Sequence, residues 1–261
     1  MEYQALKVTM TDAVVTIAIN RPDKLNALNE KALEELMLAL KNAEQDPGCR
    51  VVVLTGVGRG FSAGQDLKEH QDHGGADQIG AHVARYYNPL AKKLYHFPKP
   101  TIAMVNGVAA GAGMSLALAA DFRIGSKTAR FSQAFVKIGL VPDSGSSYLL
   151  PRLIGVARAL EMAMLGEVLD AETAYQWGLL HRLVEPADLQ AVTDALARRL
   201  AAGPPLALAM IKRSIHRGVE HNFDESLEFE RGLQAAAART EDHHEGVAAF
   251  LNKRAPEYRG R

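Results

Sequence analysis

Val14-Val-Thr-Ile-Ala-Ile19 is rich in β-branched residues and predicts a strand that ends in the turn chemistry of Asn20-Arg-Pro-Asp23. Apolar residues then recur at Leu33, Leu36, Met37, Leu40 and Ala43, the spacing of one helical face. Asn29 is placed to cap that helix and Pro47-Gly48 to stop it. Val51-Val-Val-Leu54 is short and wholly apolar, as expected of a strand covered on both faces. The opening pattern is βαβ.

Gly56 to Gly64 is a glycine-dense loop, and the polar stretch from Lys68 to Gly80 reads as an exposed loop. A helix is predicted from about His82 to His96, ended by Pro98-Lys-Pro100. Thr101 to Val105 follows as a third buried strand, Asn106 to Gly113 as a turn, Met114 to Ala119 as an apolar helix and Asp121 to Ile124 as a fourth strand. Alternating strands and helices predict an α/β layer structure. Beyond Pro151 strand signals fade, and helices are expected over Ala157–Leu165, Ala171–Trp177, Asp188–Ala202, Pro205–Arg217 and Asp224–Thr240. So many apolar helix faces near one end predict packing on other subunits.

Composition narrows the function classes. At 261 residues the chain can bury a large core without staples. Lys plus Arg and Asp plus Glu both number 30, so no global field gathers polyanions and a nucleic-acid role is not expected. The single cysteine, Cys49, rules out an internal disulfide and a cysteine-based zinc site. Residues Met1 to Lys7 show neither a signal-peptide nor a transit-peptide pattern, and a cytoplasmic setting is expected. Thr101 to Ala120 carries no charge and is about the length of ~20 residues that a membrane helix needs. Asn106 and the glycines in its middle argue instead for a buried strand, a turn and a buried helix, and no membrane association is expected.

Several motifs carry candidate chemistry. Gly56-Val-Gly58 follows a strand, but the third glycine of a dinucleotide fingerprint would fall at Phe61, so that reading fails. Gly60-Phe-Ser-Ala-Gly64 matches the nucleophile elbow of serine hydrolases, with Asp188 or Asp224 and His243 or His244 as possible partners. Against it, Gly56 to Arg59 separate Ser62 from the preceding strand. Asp66, His70 and His73 have the spacing of one helical face and so of metal ligands, yet their polar surroundings favour a solvated face, and no metal site is expected. Gly107-Val-Ala-Ala-Gly-Ala-Gly113 lets a ligand approach free amides at a helix start, or simply lets two backbones pack closely. Asp143, between an apolar run and a small-residue turn, either caps the helix beginning near Ser146 or is a desolvated carboxylate able to take a proton α to a carbonyl.

Four segments taken in order, Asn20-Arg-Pro-x-x-x-Asn-Ala-Leu28, Gly60-Phe-Ser-Ala-Gly-Gln-Asp-Leu67, Pro100 through Gly113 and Gly139-Leu-Val-Pro142, make the chain resemble the crotonase superfamily, the enoyl-CoA hydratase/isomerase family, over essentially its whole length. The resemblance implies an α/β, ClpP-like spiral of ββα turns over residues 1–200, and a helical region over residues 201–261 that builds a homotrimer or a dimer of trimers. It implies an acyl-CoA thioester as substrate, with no cofactor beyond the CoA moiety. The backbone amides of Gln65 and Ala112 would form the oxyanion hole. Lys24, Leu25 and Ala27, with Ala63, Gly64, Gln65, Asp66 and Leu67, would hold the CoA moiety, and Phe250 and Lys253 would reach it from a neighbouring subunit.

Two departures from the family pattern matter. Hydratases carry two glutamates that activate water, and the matching positions here are Ser115 and Phe135. Hydration needs a proton donor and an activated water together, whereas one carboxylate suffices for an allylic proton shift. Asp143 is suited to that shift, and an aspartate after Gly-Leu-Val-Pro resembles the phenylacetate-degradation branch, the ring 1,2-epoxyphenylacetyl-CoA isomerases, which also shift enoyl-CoA double bonds. An enoyl-CoA hydratase and a non-catalytic acyl-CoA-binding homologue are the alternatives.

Overall fold

The computed structural model describes residues 3–68 and 78–261. Its first two strands, β1 (Leu6–Thr11) and β2 (Val14–Ile19), form an antiparallel hairpin. Asp12 and Ala13 turn it with φ of 50° and 63°, the left-handed pair that a two-residue hairpin requires. β1 is missing from the sequence reading, because its outward positions are exposed and its pattern is weak. Helix α1 (Glu30–Gln45) starts where Asn29 Oδ1 accepts from the Ala32 amide at 2.9 Å, as expected of that cap. It buries Leu33, Leu36, Ala39, Leu40 and Ala43 against the sheet. A Leu in this face contributes roughly 1.5–3 kcal/mol by leaving water.

From here each turn of the chain places one strand in each of two sheets and then a helix. β3 (Val51–Gly56) leads to β4 (Gly60–Ser62), β5 (Thr101–Val105) to β6 (Val108–Ala110), and β7 (Phe122–Ser126) to β8 (Arg130–Ser132). The helices that follow these pairs are α2 (Ile79–His82, Val83–Tyr87 and Asn88–Tyr95 in succession), α3 (Ala112–Ala119) and α4 (Ser146–Ile154). This is the expected spiral of ββα turns. One sheet has the order β1-β2-β3-β5-β7-β10 and the other β4-β6-β8-β9, with β9 at Leu169–Asp170 and β10 at Arg182–Val184. β2, β3, β5, β7 and β10 run parallel, so their carboxyl ends lie together where the second sheet begins.

The second sheet corrects the sequence reading. Gly60–Ser62 and Val108–Ala110, read as loop and turn, are strands, as are β8 and β9 and, at the edge of the first sheet, β10. Each is two or three residues long, too short to show a period, and exists because a neighbour supplies its ladder. The uncharged stretch from Thr101 to Ala120 divides into β5, β6 and α3, and no helix among the described residues is long and apolar enough to cross a membrane.

α2 contains a π-helical turn at Val83–Tyr87, closed by the Asn88 amide on the Val83 carbonyl. Pro89, which has no N–H to donate back along the helix, follows directly and accounts for the changed register. The last third holds α5 (Val156–Leu165), α6 (Ala171–Gln176), α7 (Leu189–Ala201), α8 (Pro205–Gly218), α9 (Phe223–Ala237) and α10 (Glu241–Leu251). The helix expected over Asp224–Thr240 ends at Ala237, and Thr240 caps α10, accepting from the His243 amide at 3.1 Å. Asp121 ties α8 to the core: it accepts from the Thr101 amide and hydroxyl at 2.8 and 2.9 Å and pairs with Lys212 at 2.9 Å.

Candidate functional site

The loop after β2 and the loop entering β4 are zipped together. Asn26, fully buried with φ 58°, accepts from the Arg21 amide at 2.9 Å and donates to the carbonyls of Val57 at 3.0 Å and Gly60 at 2.7 Å. The Ala63 amide reaches Leu25 O at 2.9 Å and the Leu28 amide reaches Gly64 O at 2.7 Å. Arg21 bridges the two loops, donating to Ala27 O at 2.5 Å and to Asp66 at 2.8 Å. Lys24, Leu25 and Ala27 therefore stand in one ridge with Ala63, Gly64, Gln65, Asp66 and Leu67. Arg21 and Asn26 have no role in the sequence reading beyond belonging to a motif, although they hold this ridge together.

Gln65 pairs with Leu28 as a parallel bridge. The bonds on either side of it, Leu28 N–H to Gly64 O and Asp66 N–H to Leu28 O, leave the Gln65 N–H facing the opposite way. Ala112 is the first residue of α3, so its amide is one of the donors a helix start leaves without an internal partner. Gly64, at φ 89°, brings the two together: a Cβ there would stand 2.8 Å from Ala110 O and 3.4 Å from Ala112 N. Two such amides, with the positive end of a helix dipole behind one of them, can stabilise an oxyanion.

The glycines of Gly107 to Gly113 include positions that close packing requires and one that turns the chain. A Cβ on Gly107 would meet Arg59 O at 2.0 Å, and one on Gly113 would meet Ser62 Cβ and Oγ at 2.6 Å, so these positions serve close packing. Gly111, at φ 49°, turns the chain into α3.

Ser62 is not the nucleophile of an elbow. It is fully buried in β4, its hydroxyl donates to Asn26 O at 2.9 Å, and the Gly64 amide donates to it at 3.3 Å. His243 and His244 are exposed on α10. His70 and His73 lie outside the described residues, and Asp66 is engaged by Arg21.

Asp143 lies between a 3₁₀ turn at Ala134–Ile138 and α4. It does not cap that helix: Gly145 holds the cap position without a side-chain bond, and the Asp143 carboxylate accepts from the Ser144 hydroxyl at 2.9 Å. Ser144 and Gly145, at φ 53° and 82°, make the sharp turn that presents it. Burial raises the carboxyl above the ordinary aspartate range, against the lowering effect of Ser144. Its chain neighbours Pro142 and Ser146 line an apolar cavity of about 520 Å³ together with Leu140, Leu150 and Leu160.

The positions that bear on water activation converge on one glycine. Ser115, fully buried, donates its hydroxyl back to Gly111 O at 3.2 Å. Phe135 Cζ lies 3.8 Å from where a Cβ on Gly111 would stand. The residue before the Ala112 amide is thus covered by a hydroxyl committed to the backbone and by an aromatic ring, neither of which activates water.

Tyr87, at the end of the π-helical turn, has no role in the sequence reading. Its pKa is raised by burial first, then by the charges of Asp143 and Asp66. Burial is the main cause, and the charges of both the Asp143 turn and the Gln65 loop act on this phenol in the same direction. Phe250 is 83% exposed and Lys253 exposed. The tail beyond them is held by Arg50, which donates to Tyr258 O at 2.7 Å at the start of β3, away from Gly56.

The enoyl-CoA hydratase/isomerase family profile matches residues 9–261. The 1,2-epoxyphenylacetyl-CoA isomerase of Escherichia coli K12 is 44% identical over 250 residues, 95% of each chain. The trans-2-decenoyl-[acyl-carrier-protein] isomerase of Streptococcus mutans is 35% identical over 263 residues, covering all of both chains. The crystal structure of an enoyl-CoA hydratase from Bacillus anthracis superposes with a TM-score of 0.95 at 33% identity, covering 99% of this chain and 100% of that one.

Proposed function

From the premise that this chain belongs to the enoyl-CoA hydratase/isomerase family, we propose that it is an acyl-CoA isomerase in which Asp143 moves a proton beside a thioester carbonyl held by the Gln65 and Ala112 amides. The observation that carries the reading is the pairing of a half-buried carboxylate at Asp143, its pKa raised by desolvation, with Ser115 and Phe135 at Gly111, two positions that hold neither an acid nor a base.

Asp143, as carboxylate, takes a proton from the carbon next to the thioester carbonyl. The electron pair left behind delocalises onto the carbonyl oxygen, and the two amides stabilise that charge. Asp143 then returns the proton two carbons further along, so a 3-enoyl thioester becomes a 2-enoyl thioester with no atom gained or lost. A carboxyl raised by burial is a stronger base for the first step than an ordinary aspartate. The finer reading, isomerisation of ring 1,2-epoxyphenylacetyl-CoA to the oxepin alongside the double-bond shift, is supported by the 44% identical relative. Hydration, the activity named for the Bacillus anthracis neighbour, would need an activated water in addition.

The ridge of Lys24, Leu25, Ala27 and Ala63 to Leu67 is read as the CoA seat, completed by Phe250 and Lys253 of a neighbouring copy. Exposed apolar side chains on α8 and α10, among them Ile215, Phe250 and Leu251, support a trimer or a pair of trimers built through the region 201–261. The test is a mass-spectrometric assay of 3-enoyl-CoA, 2-enoyl-CoA and 1,2-epoxyphenylacetyl-CoA with the wild type and Asp143→Asn. Isomer formation lost in the variant is expected. Full activity in Asp143→Asn, or gain of a water on 2-enoyl-CoA at comparable rates, overturns the reading.

A further inference from the structure

Tyr87 is 0% exposed, and its hydroxyl has no hydrogen-bond partner among the described residues. Leaving such a group unpaired in a folded core is costly, and a native chain keeps it only where something else completes it. The ring is fixed in place. It belongs to the main core cluster with Phe61, Ala112 and Met114, and His82 lies edge-on to it at 5.6 Å. The backbone beneath is the π-helical turn Val83–Tyr87, a local irregularity of the kind that re-aims a side chain at a functional site.

The two carboxylates whose charges act on this phenol do not accept from it. Asp66 binds Arg21 at 2.8 Å, and Asp143 takes the Ser144 hydroxyl at 2.9 Å. Burial first, and then the charges of these carboxylates, keep the phenol protonated, so it can donate a hydrogen bond and cannot serve as a base. A straight-chain acyl group brings no acceptor to it, since the single thioester oxygen is assigned to the two amides. An acyl group carrying its own oxygen does.

We propose that Tyr87 is a specificity-determining residue whose hydroxyl donates to an oxygen on the acyl group, so that the site favours thioesters bearing an epoxide or cyclic-ether oxygen over straight-chain enoyl thioesters. The inference rests on the isomerase reading and names the substrate class for it. Because the hydroxyl is already stripped of partners in the fold, the incoming oxygen gains a preorganised donor.

The experiment is Tyr87→Phe, which keeps the ring and removes the hydroxyl. Both proteins are assayed with 1,2-epoxyphenylacetyl-CoA and with a 3-enoyl-CoA, and the Tm of each is measured without substrate. The ratio of kcat/KM for the epoxide to that for the 3-enoyl thioester is expected to fall about 10- to 100-fold in the variant. The Tm is expected to hold or rise, because no bond within the fold is lost. An equal loss on both substrates would place the hydroxyl on Asp143 and overturn the inference, as would a fall in Tm, which would mean the fold itself uses the hydroxyl. Asp143→Asn run in parallel separates the two proposals. Activity lost there with an unchanged ratio in Tyr87→Phe removes only this one, whereas a wild type that isomerises neither thioester removes both.

Discussion

Ser144 donates its hydroxyl to Asp143 across 2.9 Å from a residue in the left-handed region, φ 53°, so a sharp turn places one hydrogen bond on the carboxylate. Burial raises the Asp143 carboxyl and this bond partly offsets the rise. Ser144→Ala removes the opposing effect while keeping the backbone. The acidic limb of the kcat profile is therefore expected to move to higher pH. A limb that stays or moves down would show that Ser144 does not tune the base.

The same carboxylate has a stability signature of known sign. The folded state holds the Asp143 proton to higher pH than the unfolded chain, whose aspartate titrates near 3.8. Its contribution to stability therefore falls as pH rises from 3.8 through the folded value, and at neutral pH the ionised group is a net cost. Asp143→Asn should melt above the wild type at pH 7, with the gap closing toward pH 3.8, while kcat drops about 10²- to 10⁴-fold. Equal melting points at pH 7 would contradict the burial argument.

Gly113 is where the helix start meets β4. Gly113→Ala would drive a methyl to 2.5 Å from the Ser62 carbonyl oxygen and 2.6 Å from its hydroxyl, which is held between Asn26 O and the Gly64 amide. We expect a loss of roughly 1–3 kcal/mol from overpacking. We also expect a disproportionate fall in kcat, because the Ala112 amide moves with the helix. Unchanged kinetics in a folded variant would dissociate that amide from turnover.

Asn26 makes three side-chain hydrogen bonds, one within its own loop and two to the loop entering β4, and holds φ 58°, which asparagine tolerates better than alanine. Asn26→Ala is expected to cost about 3 kcal/mol in chemical denaturation and to raise KM for acyl-CoA, since the Lys24 ridge loses its backing. A normal KM would separate that ridge from CoA binding.

Asp121 and Lys212 are 15% and 10% exposed, and burial pulls the Lys212 pKa down against the pull of its partner. Asp121→Ala leaves that ammonium and the Thr101 amide without their acceptor, and a loss of about 3–5 kcal/mol is expected. Hydrogen exchange should report the loss first in α8. Uniform protection across α8 would place the anchor elsewhere.

The sequence by itself determined the elements whose pattern is local. Asn29 and the Leu33, Leu36 and Leu40 stripe define α1 because cap and stripe lie within a few turns of one helix, and Val51–Leu54 shows its two-sided burial in four letters. The motifs around Gly64, Gly111 and Asp143 were legible as well, together with the family they resemble. The second sheet was not, because β4, β6, β8 and β9 are two or three residues long and become strands only through neighbours distant in the chain. Asp143 was left open between helix cap and base, and the turn at Ser144 and Gly145, which withholds its carboxylate from the α4 amides, decided against the cap. Tyr87 carried no signal in sequence, since an aromatic on a helix reads as core. Its meaning comes from where its oxygen ends up, which only packing across α2, α3 and the Asp143 turn decides.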